Sequence, residues 1–308
     1  MYLPRLAVCL AAIAVLAFAQ ENDIFARIRH AFPTPAEGER AAAELAHKNF
    51  AQVESLLAAQ EPVRPAAIFA LEGAVIFLAG DMPRAIEYFD RAARLAPLSQ
   101  ADSFTLAMAL AKAGNDARAR TVLTALSEEQ PASALYVYWL GRLDYDQRRY
   151  QEAVVKLQRA TELDPKAARA WDALGLAFDM QGRTDKALAA FERAGSLNRA
   201  GPHPSPWPPH NLGYLLLRMD RLHEAEAALR ESLRYDPSLA VSSYHLARTL
   251  EKQGRDSEAI EEYKQAVAQD HGSSDACYSL AMLYRKLHRE SEAQTMFAEY
   301  RRRKASPQ

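Results

Sequence analysis

The sequence predicts an all-α solenoid of helical hairpins, and three regularities lead to this fold. Alanines recur with spacings of 34, 34, 34, 38, 34 and 34 residues. A small residue lies twelve positions before each alanine, and a large apolar residue lies four positions after it. A fixed period of this length is the signature of a stacked repeat array. The alanines are Ala85, Ala119, Ala153, Ala187, Ala225, Ala259 and Ala293.

The fourth repeat shows how one period forms a hairpin. Phe178 belongs to the helically spaced apolar residues of a first helix, and Phe191 belongs to those of a second helix. Gly175 is small enough to let the two helices approach closely, and Gly182 is placed to end the first helix. Pro165 belongs to a proline column that keeps one repeat's second helix from running into the next repeat.

The repeats are predicted to start near positions 66, 100, 134, 168, 206, 240 and 274, and together they span residues 66–307. Residues 20–65 fit the period less well, so we interpret them as a degenerate half-repeat that caps the array. A proline-rich insertion at about 201–209 accounts for the single 38-residue spacing. The basic run at 301–304 is interpreted as a solvated helix end.

The pattern resembles the tetratricopeptide repeat (TPR), whose signature is W-x2-L-G-x2-Y followed by Ala, Phe and Pro. Trp171, Leu174, Gly175 and Phe178 of the fourth repeat match it best. The resemblance implies a right-handed superhelical solenoid of helix-turn-helix repeats. It also implies that a stripe of each first helix, at repeat positions 2, 5, 9 and 12, faces a concave groove that holds a peptide or partner segment.

Carried over to this chain, the stripe predicts a partner-binding groove rich in aromatic residues and arginines, which binding surfaces favour. The alternative is that these aromatic rings only pack against neighbouring helices. The predicted groove residues are Tyr138, Arg142, Tyr145, Arg169, Asp172, Trp207, His210, Tyr214, Tyr244, Arg248, Tyr278 and Arg285.

The same stripe is apolar in the first two repeats, where it carries Phe77 and Phe104 among alanines. An apolar surface of this kind is rarely left bare in a soluble protein. We expect the segment with Ile24, Phe25 and Ile28 to fold onto it.

Residues 1–19 are predicted to be a signal peptide. Arg5 precedes an apolar stretch, and Ala17-Phe18-Ala19 has the small-x-small pattern of a cleavage site. The apolar stretch of fourteen residues is shorter than the roughly 20 that a membrane span needs. The alternative is an uncleaved membrane anchor. We expect a periplasmic or extracellular protein without a stable membrane span after cleavage.

Charge and motifs argue against several other functions. The net charge of −1 is unlike the basic footprint of a nucleic-acid binder. No catalytic, cofactor-binding or metal-binding motif is found in the sequence. Cys277 is interpreted as a packed thiol, and the pair His203 and His210 as part of a stiff linker rather than a metal site. Asp144 either binds a ligand or is satisfied by internal hydrogen bonds.

These observations predict an exported scaffold that binds another protein or a peptide in its groove and is not an enzyme. One alternative is a non-catalytic adaptor that presents a cell-envelope enzyme to its substrate. A second alternative is a hydrolase whose site has no recognised motif.

Export makes a direct prediction about the mature N-terminus. The mature chain should begin at Gln20, as read by N-terminal sequencing of protein taken from the periplasmic or secreted fraction. Replacing Ala19 with Arg should block processing, because signal peptidases need a small residue there. A membrane-bound wild-type chain that keeps Met1 would contradict the signal-peptide assignment.

Overall fold

The computed structural model describes residues 24–59, 65–270 and 274–305. Within these ranges every regular element is a helix, so the predicted all-α repeat fold is confirmed. The predicted signal peptide, residues 1–19, lies outside the described residues. None of the described helices combines the length and apolarity that a membrane span requires.

The first helix of the described chain, α1, covers residues 24–30. From α4 onward, even-numbered helices are the first helices of hairpins and odd-numbered helices are the second. The later helices are α2 (Pro35–Ala46), α3 (Phe50–Ala58), α4 (Ala66–Ala79), α5 (Met82–Leu95), α6 (Gln100–Lys112), α7 (Asp116–Glu129), α8 (Ala134–Asp146), α9 (Tyr150–Leu163), α10 (Ala168–Met180), α11 (Thr184–Ala200), α12 (Trp207–Arg218), α13 (Leu222–Tyr235), α14 (Ala240–Lys252), α15 (Asp256–Gln269), α16 (Asp275–Lys286) and α17 (Glu290–Ala305).

The chain divides into two compact units, Met1–Leu163 and Asp164–Gln308. The N-terminal unit contains α1 to α9, and the C-terminal unit contains α10 to α17. In each unit the core lies between the two helices of a hairpin and between successive hairpins.

Each hairpin turns at a residue with positive φ. Gly182 makes this turn with φ of 70° after α10, which suits a residue without a Cβ. The equivalent positions hold Arg148, Asp220 and His288 with φ of 60°, 61° and 58°. A left-handed conformation costs an L-residue about 1–2 kcal/mol. Because these three hairpins form nevertheless, the packing of their helices outweighs the local strain.

The two helices of a hairpin touch at the small-residue column. A Cβ at Gly175 would lie 2.6 Å from the Phe191 ring, and one at Gly213 would lie 2.7 Å from Leu229 Cγ. Both distances are shorter than a Cβ tolerates. The close approach inferred from the sequence is therefore present, and the large residue of the second helix fills the space above the glycine.

Helix α1 covers the apolar first repeats of the N-terminal unit, as expected. Ile24 and Ile28 are buried in the core cluster that contains Phe77 and Phe104. Arg27 fixes the helix in place by donating two hydrogen bonds, of 2.9 and 3.2 Å, to the Asp102 carboxylate on α6. The apolar face of the first two repeats is therefore covered by α1 of the same chain.

The proline-rich insertion differs from its predicted bounds of 201–209. Helix α11 runs on to Ala200, a loop covers 201–206, and Trp207 begins α12. Pro208 and Pro209 belong to the first turn of α12, where a missing N–H costs no hydrogen bond. The Asn198 side chain pins the loop through hydrogen bonds of 2.8 Å to both the N–H and the carbonyl of Ser205.

The basic run at 301–304 is the predicted solvated helix end at Arg301, Arg302 and Lys304, which are exposed, but not at Arg303. Arg303 is buried and donates to the backbone carbonyls of Val267 and Asp270 and to the Glu299 carboxylate. The last carbonyls of a helix have no partner within the helix. Arg303 therefore caps the C-terminal end of α15.

The close approach predicts unequal effects of adding one methyl group at two glycines of the C-terminal unit. Gly175→Ala should lower the free energy of unfolding by about 1–3 kcal/mol, because the new Cβ strikes the Phe191 ring. Gly195→Ala is the matched control, since its Cβ would meet only Arg199 Nη1 at 3.7 Å. It should be neutral or stabilise the helix by about 0.5–1 kcal/mol. Urea denaturation measures both, and equal losses would contradict the packing described.

Candidate partner-binding face

Aromatic side chains of α12 and α14 converge in the C-terminal unit. The His245 ring lies 4.5 Å from that of Tyr214, 5.2 Å from that of Tyr244 and 5.4 Å from that of His210, between ring centroids. Trp207 extends the group with a ring 5.7 Å from His210. We call these five residues the aromatic cluster.

Helical spacing explains how the cluster forms. His210 and Tyr214 are four residues apart on α12, and Tyr244 and Arg248 are four apart on α14, so each pair shares a helix face. The Arg248 guanidinium lies 5.8 Å from the centre of the Tyr244 ring, within the range of a cation–π contact. Together these residues form an aromatic surface with the Arg248 cation at its edge.

A buried polar chain lies behind the aromatic cluster. His210 Nδ1 is 2.9 Å from the Ser242 hydroxyl oxygen, which in turn is 2.8 Å from the Ser232 hydroxyl oxygen. Ser232 donates to the carbonyl of Pro206 at 2.8 Å. The chain joins α12, α13 and α14 and satisfies buried groups that would otherwise destabilise the fold.

Burial keeps both histidines of the cluster neutral at pH 7. It lowers the pKa of His210, which is 2% exposed, to about 4. It also lowers the pKa of His245 well below its usual range, and the charges of His210 and Arg248 add to the effect. His245 Nδ1 is buried without a hydrogen-bond partner among the described residues. The two uncharged rings therefore support the surface formed by Tyr214 and Tyr244.

Sequence reasoning missed His245 and Ser242 because it considered only the stripe at positions 2, 5, 9 and 12. Both lie just off that stripe on α14. The signal that could have found His245 is its place next to Tyr244 in a helix that also carries the stripe residue Arg248. A polar residue on the inner side of such a helix needs partners from neighbouring helices.

Three predicted groove residues are buried instead of lining a surface, and the prediction is corrected there. Arg142 is 6% exposed, Asp172 is 9% exposed, and His210 belongs to the buried polar chain. Asp172 accepts hydrogen bonds of 3.0 and 3.1 Å from the Asn211 amide on α12. Their neighbours engage these polar groups inside the fold, which leaves them unavailable to a partner.

The other predicted groove residues have some surface, and their role in binding stays a prediction. Tyr278 and Arg285 are exposed. In the N-terminal unit the Tyr138 ring contacts Trp139 at 5.3 Å, and the Tyr145 ring contacts Tyr150 at 5.6 Å. The half-buried members of the set are Tyr138, Tyr145, Arg169, Trp207, Tyr214, Tyr244 and Arg248.

Asp144, the carboxylate in an apolar column, is satisfied within the N-terminal unit. It is buried, and cationic nitrogens of Arg120, Arg149 and Lys156 lie 2.9, 2.7 and 2.6 Å from its oxygens. Burial alone would raise its pKa, but the hydrogen bond and charge of Lys156, with the two arginines, lower it. The structure therefore supports the interpretation that Asp144 is engaged by side chains of its own unit, and not the one that it binds a ligand.

The reactive side chains are likewise enclosed. Burial raises the pKa of the Cys277 thiol, which disfavours the nucleophilic thiolate. In the described part of the chain, no group of three or more His, Cys, Asp or Glu side chains is placed to hold a metal ion.

Comparison with known families identifies the repeat. Two family models described as tetratricopeptide repeat match residues 77–143, 140–202 and 210–274, which is more than half of the chain. The protein therefore belongs to the tetratricopeptide repeat family, as the sequence resemblance indicated.

Curated relatives resemble the chain over limited segments. It is 31% identical over 116 residues to the cytochrome c-type biogenesis protein CycH of Rhizobium meliloti, covering 36% of this chain and 29% of CycH. It is 28% identical over 136 residues to Superkiller protein 3 of Schizosaccharomyces pombe, covering 42% of this chain and 9% of that protein. The matches thus span less than a third of either relative.

Solved structures agree on the fold. A tetratricopeptide repeat protein from Parabacteroides merdae superimposes with a TM-score of 0.64 at 17% identity. The superposition covers 80% of this chain and 97% of the other. At this identity the similarity concerns the fold alone.

The buried histidines predict a loss of stability in mild acid. In the unfolded state a histidine titrates near 6.5, whereas His210 titrates at about 4 in the fold. Between these values the unfolded state binds more protons, so stability falls as pH falls from 6.5 to 4, by roughly 3 kcal/mol for His210. His245 adds to the same trend.

Urea denaturation at several pH values measures this effect. His210→Asn retains a polar atom near Ser242 but does not titrate, so its stability should depend less on pH in this window. His223→Asn is the matched control, because His223 is exposed. If both variants follow the wild-type pH profile, His210 is not the group responsible.

Proposed function

We propose that the protein is a scaffold whose C-terminal unit binds a protein or peptide through the first-helix face carrying Trp207, Tyr214, Tyr244 and Arg248. TPR proteins use the surface of their stacked first helices in this way. The observation that carries the proposal is the aromatic cluster. Its two half-buried tyrosines lie beside Arg248 and pack on the buried, neutral ring of His245.

The contacts beneath the tyrosines support this role. Tyr214 and Tyr244 both rest against the His245 ring, so their orientation is set before a partner arrives. Ordering a side chain on binding costs about 0.5–1.5 kcal/mol, and a preorganised ring avoids most of that cost. Tyrosine and arginine are also the residues that most often dominate binding energy.

A non-catalytic role is part of the proposal. The pair formed by Ser242 and His210 has the spacing of a nucleophile and its base. Both residues are buried, so a substrate cannot reach the serine oxygen. Such a pair is better explained as structural support for α12 and α14.

We also propose that the scaffold works outside the cytoplasm, in the periplasm or the extracellular space. The signal-peptide pattern at residues 1–19 supports this location. After its removal Cys277 is the only cysteine, which leaves no partner for a disulfide within the mature chain. Stability would then come from noncovalent contacts within the fold.

The similarity to CycH favours a second candidate, a non-catalytic adaptor that serves an enzyme of the cell envelope during cytochrome c-type biogenesis. Deleting the gene should then lower the content of c-type cytochromes, measured by absorbance of the reduced haem bands. An unchanged content would remove this candidate and leave the general scaffold role.

The proposed face predicts separate effects on binding and on stability. A partner is first identified by cross-linking in the periplasmic or secreted fraction, and its affinity for purified variants is then measured by calorimetry. Tyr214→Ala should weaken binding by about 2 kcal/mol or more, as an aromatic hot spot does. It should also cost some stability, because its ring packs on His245.

Phe191→Ala is the control for general destabilisation. Phe191 is fully buried, so the change should cost about 3–5 kcal/mol of stability while the folded fraction binds normally. If Tyr214→Ala lowers stability and leaves the affinity unchanged, the aromatic cluster is structural and the proposed face is wrong.

A further inference from the structure

Helices α16 and α17 carry a second aromatic surface. Tyr278 is 45% exposed, and its ring lies 6.1 Å from that of Phe297 and 5.3 Å from that of Tyr300. The Arg285 guanidinium lies 5.8 Å from the centre of the Phe297 ring, and Lys304 Nζ lies 5.4 Å from the centre of the Tyr300 ring. We call these five residues the terminal patch.

The terminal patch is more exposed to solvent than the equivalent positions of the inner repeats. Phe297 lies four positions after Ala293, in the column of large apolar residues that recurs in every repeat. In the inner repeats that column, which holds residues such as Phe191 and Tyr263, is buried to within 1%. Phe297 is only half-buried, and no described hairpin packs over it. Its aromatic neighbours are therefore accessible from the same side.

The two cations of the terminal patch have no carboxylate within 4.0 Å among the described residues. Arg285 has the Met282 sulfur at 3.1 Å, and Lys304 has the Tyr300 hydroxyl at 3.1 Å. Lys286, which follows Arg285 in sequence, is by contrast paired with Asp256 at 3.0 Å. Stacking on a ring leaves the charge of each patch cation uncompensated and available to an anion.

The carboxylate of Glu299, next to the patch on α17, is already engaged. Hydrogen bonds from Arg302 and Arg303 lower the pKa of Glu299 to about 2. Arg303 is in turn held by the carbonyls at the end of α15. Because Glu299 is directed at its own arginines, it does not compensate the charge of Arg285 or Lys304.

We infer that the terminal patch binds an acidic peptide segment of the partner, with a carboxylate on Arg285 or Lys304 and an apolar side chain on Tyr278. Charge-assisted hydrogen bonds to carboxylates are about twice as strong as neutral ones, and exposed tyrosine supplies contact area at low entropic cost. The inference rests on the proposed scaffold function and specifies the partner's chemistry.

The charge of the terminal patch favours a peptide over an anionic membrane. Recognition of acidic lipid surfaces by proteins uses clusters of about 4–8 basic residues. Arg285, Lys304 and the exposed Arg301 are three cations without a carboxylate within 4.0 Å among the described residues, while Arg302 and Arg303 are engaged by Glu299. A small positive surface with three rings suits a short segment that offers both a carboxylate and an apolar group.

Fluorescence anisotropy with the full chain tests the inference. The probes are a fluorescein-labelled peptide of alternating Asp, Glu and Phe residues and its counterpart with Asn and Gln in place of the acids. The acidic peptide should bind with a Kd at least tenfold lower than the neutral one. Raising the salt concentration from 50 to 300 mM should weaken only the acidic peptide.

Variants locate the site on the chain. Arg285→Gln and Lys304→Gln should each raise the Kd of the acidic peptide at least fivefold, and Tyr278→Ala at least tenfold. Lys186→Gln is the matched control, because Lys186 is an exposed lysine 5.9 Å from the centre of the Phe178 ring. It should leave the Kd unchanged, and thermal melts should show that all four variants fold.

Three outcomes would overturn the inference. Equal affinity for both peptides would show that charge plays no part. If Tyr214→Ala weakens the acidic peptide while the patch variants do not, the proposed function holds but the terminal patch is the wrong place. Binding to vesicles containing phosphatidylserine, without binding to the peptide, would make the patch a lipid-binding surface.

Discussion

The contact between a small residue on each first helix and a large residue on the second is the interaction on which the rest of the structure depends. At Gly175 there is no room for even one methyl group beside Phe191. The same contact recurs at Gly141 with Leu157 and, by position, along the array. Since stability in such arrays comes from hairpins and their neighbours, the core is spread along the chain. The faces of the first helices that do not pack within this core are left available for other contacts.

Several buried polar residues are engaged by groups that lie outside their own helix. Asp144 holds three cations in the N-terminal unit, and Asp172 is held by Asn211 in the C-terminal unit. Arg303 caps a helix that ends more than thirty residues earlier. Removing one partner of a buried charged pair is costly, because the other is left without compensation. These groups therefore stabilise particular contacts between helices and are poor candidates for ligand binding.

The aromatic cluster combines rigidity with sensitivity to acid. Burying His210 and His245 between α12 and α14 provides flat rings on which Tyr214 and Tyr244 rest. Protonating either histidine disfavours this arrangement, since among the described residues no carboxylate compensates a buried imidazolium there and Arg248 adds a like charge. The surface that we propose for partner binding therefore depends on the buried pair His210 and His245 beneath it.

The sequence by itself determined the helical repeat, the close approach at the glycine column and the covering of the apolar first repeats. Each follows from a local or periodic pattern, because a residue's place in the period decides which side of its own hairpin it faces. Only the tertiary structure decided which stripe residues are accessible. His210 and Asp172 share the stripe with Tyr244, yet Ser242 and Asn211 draw them inside from 32 and 39 residues away. Burial of a first-helix residue depends on the neighbouring hairpin, and that partner is not encoded within one period.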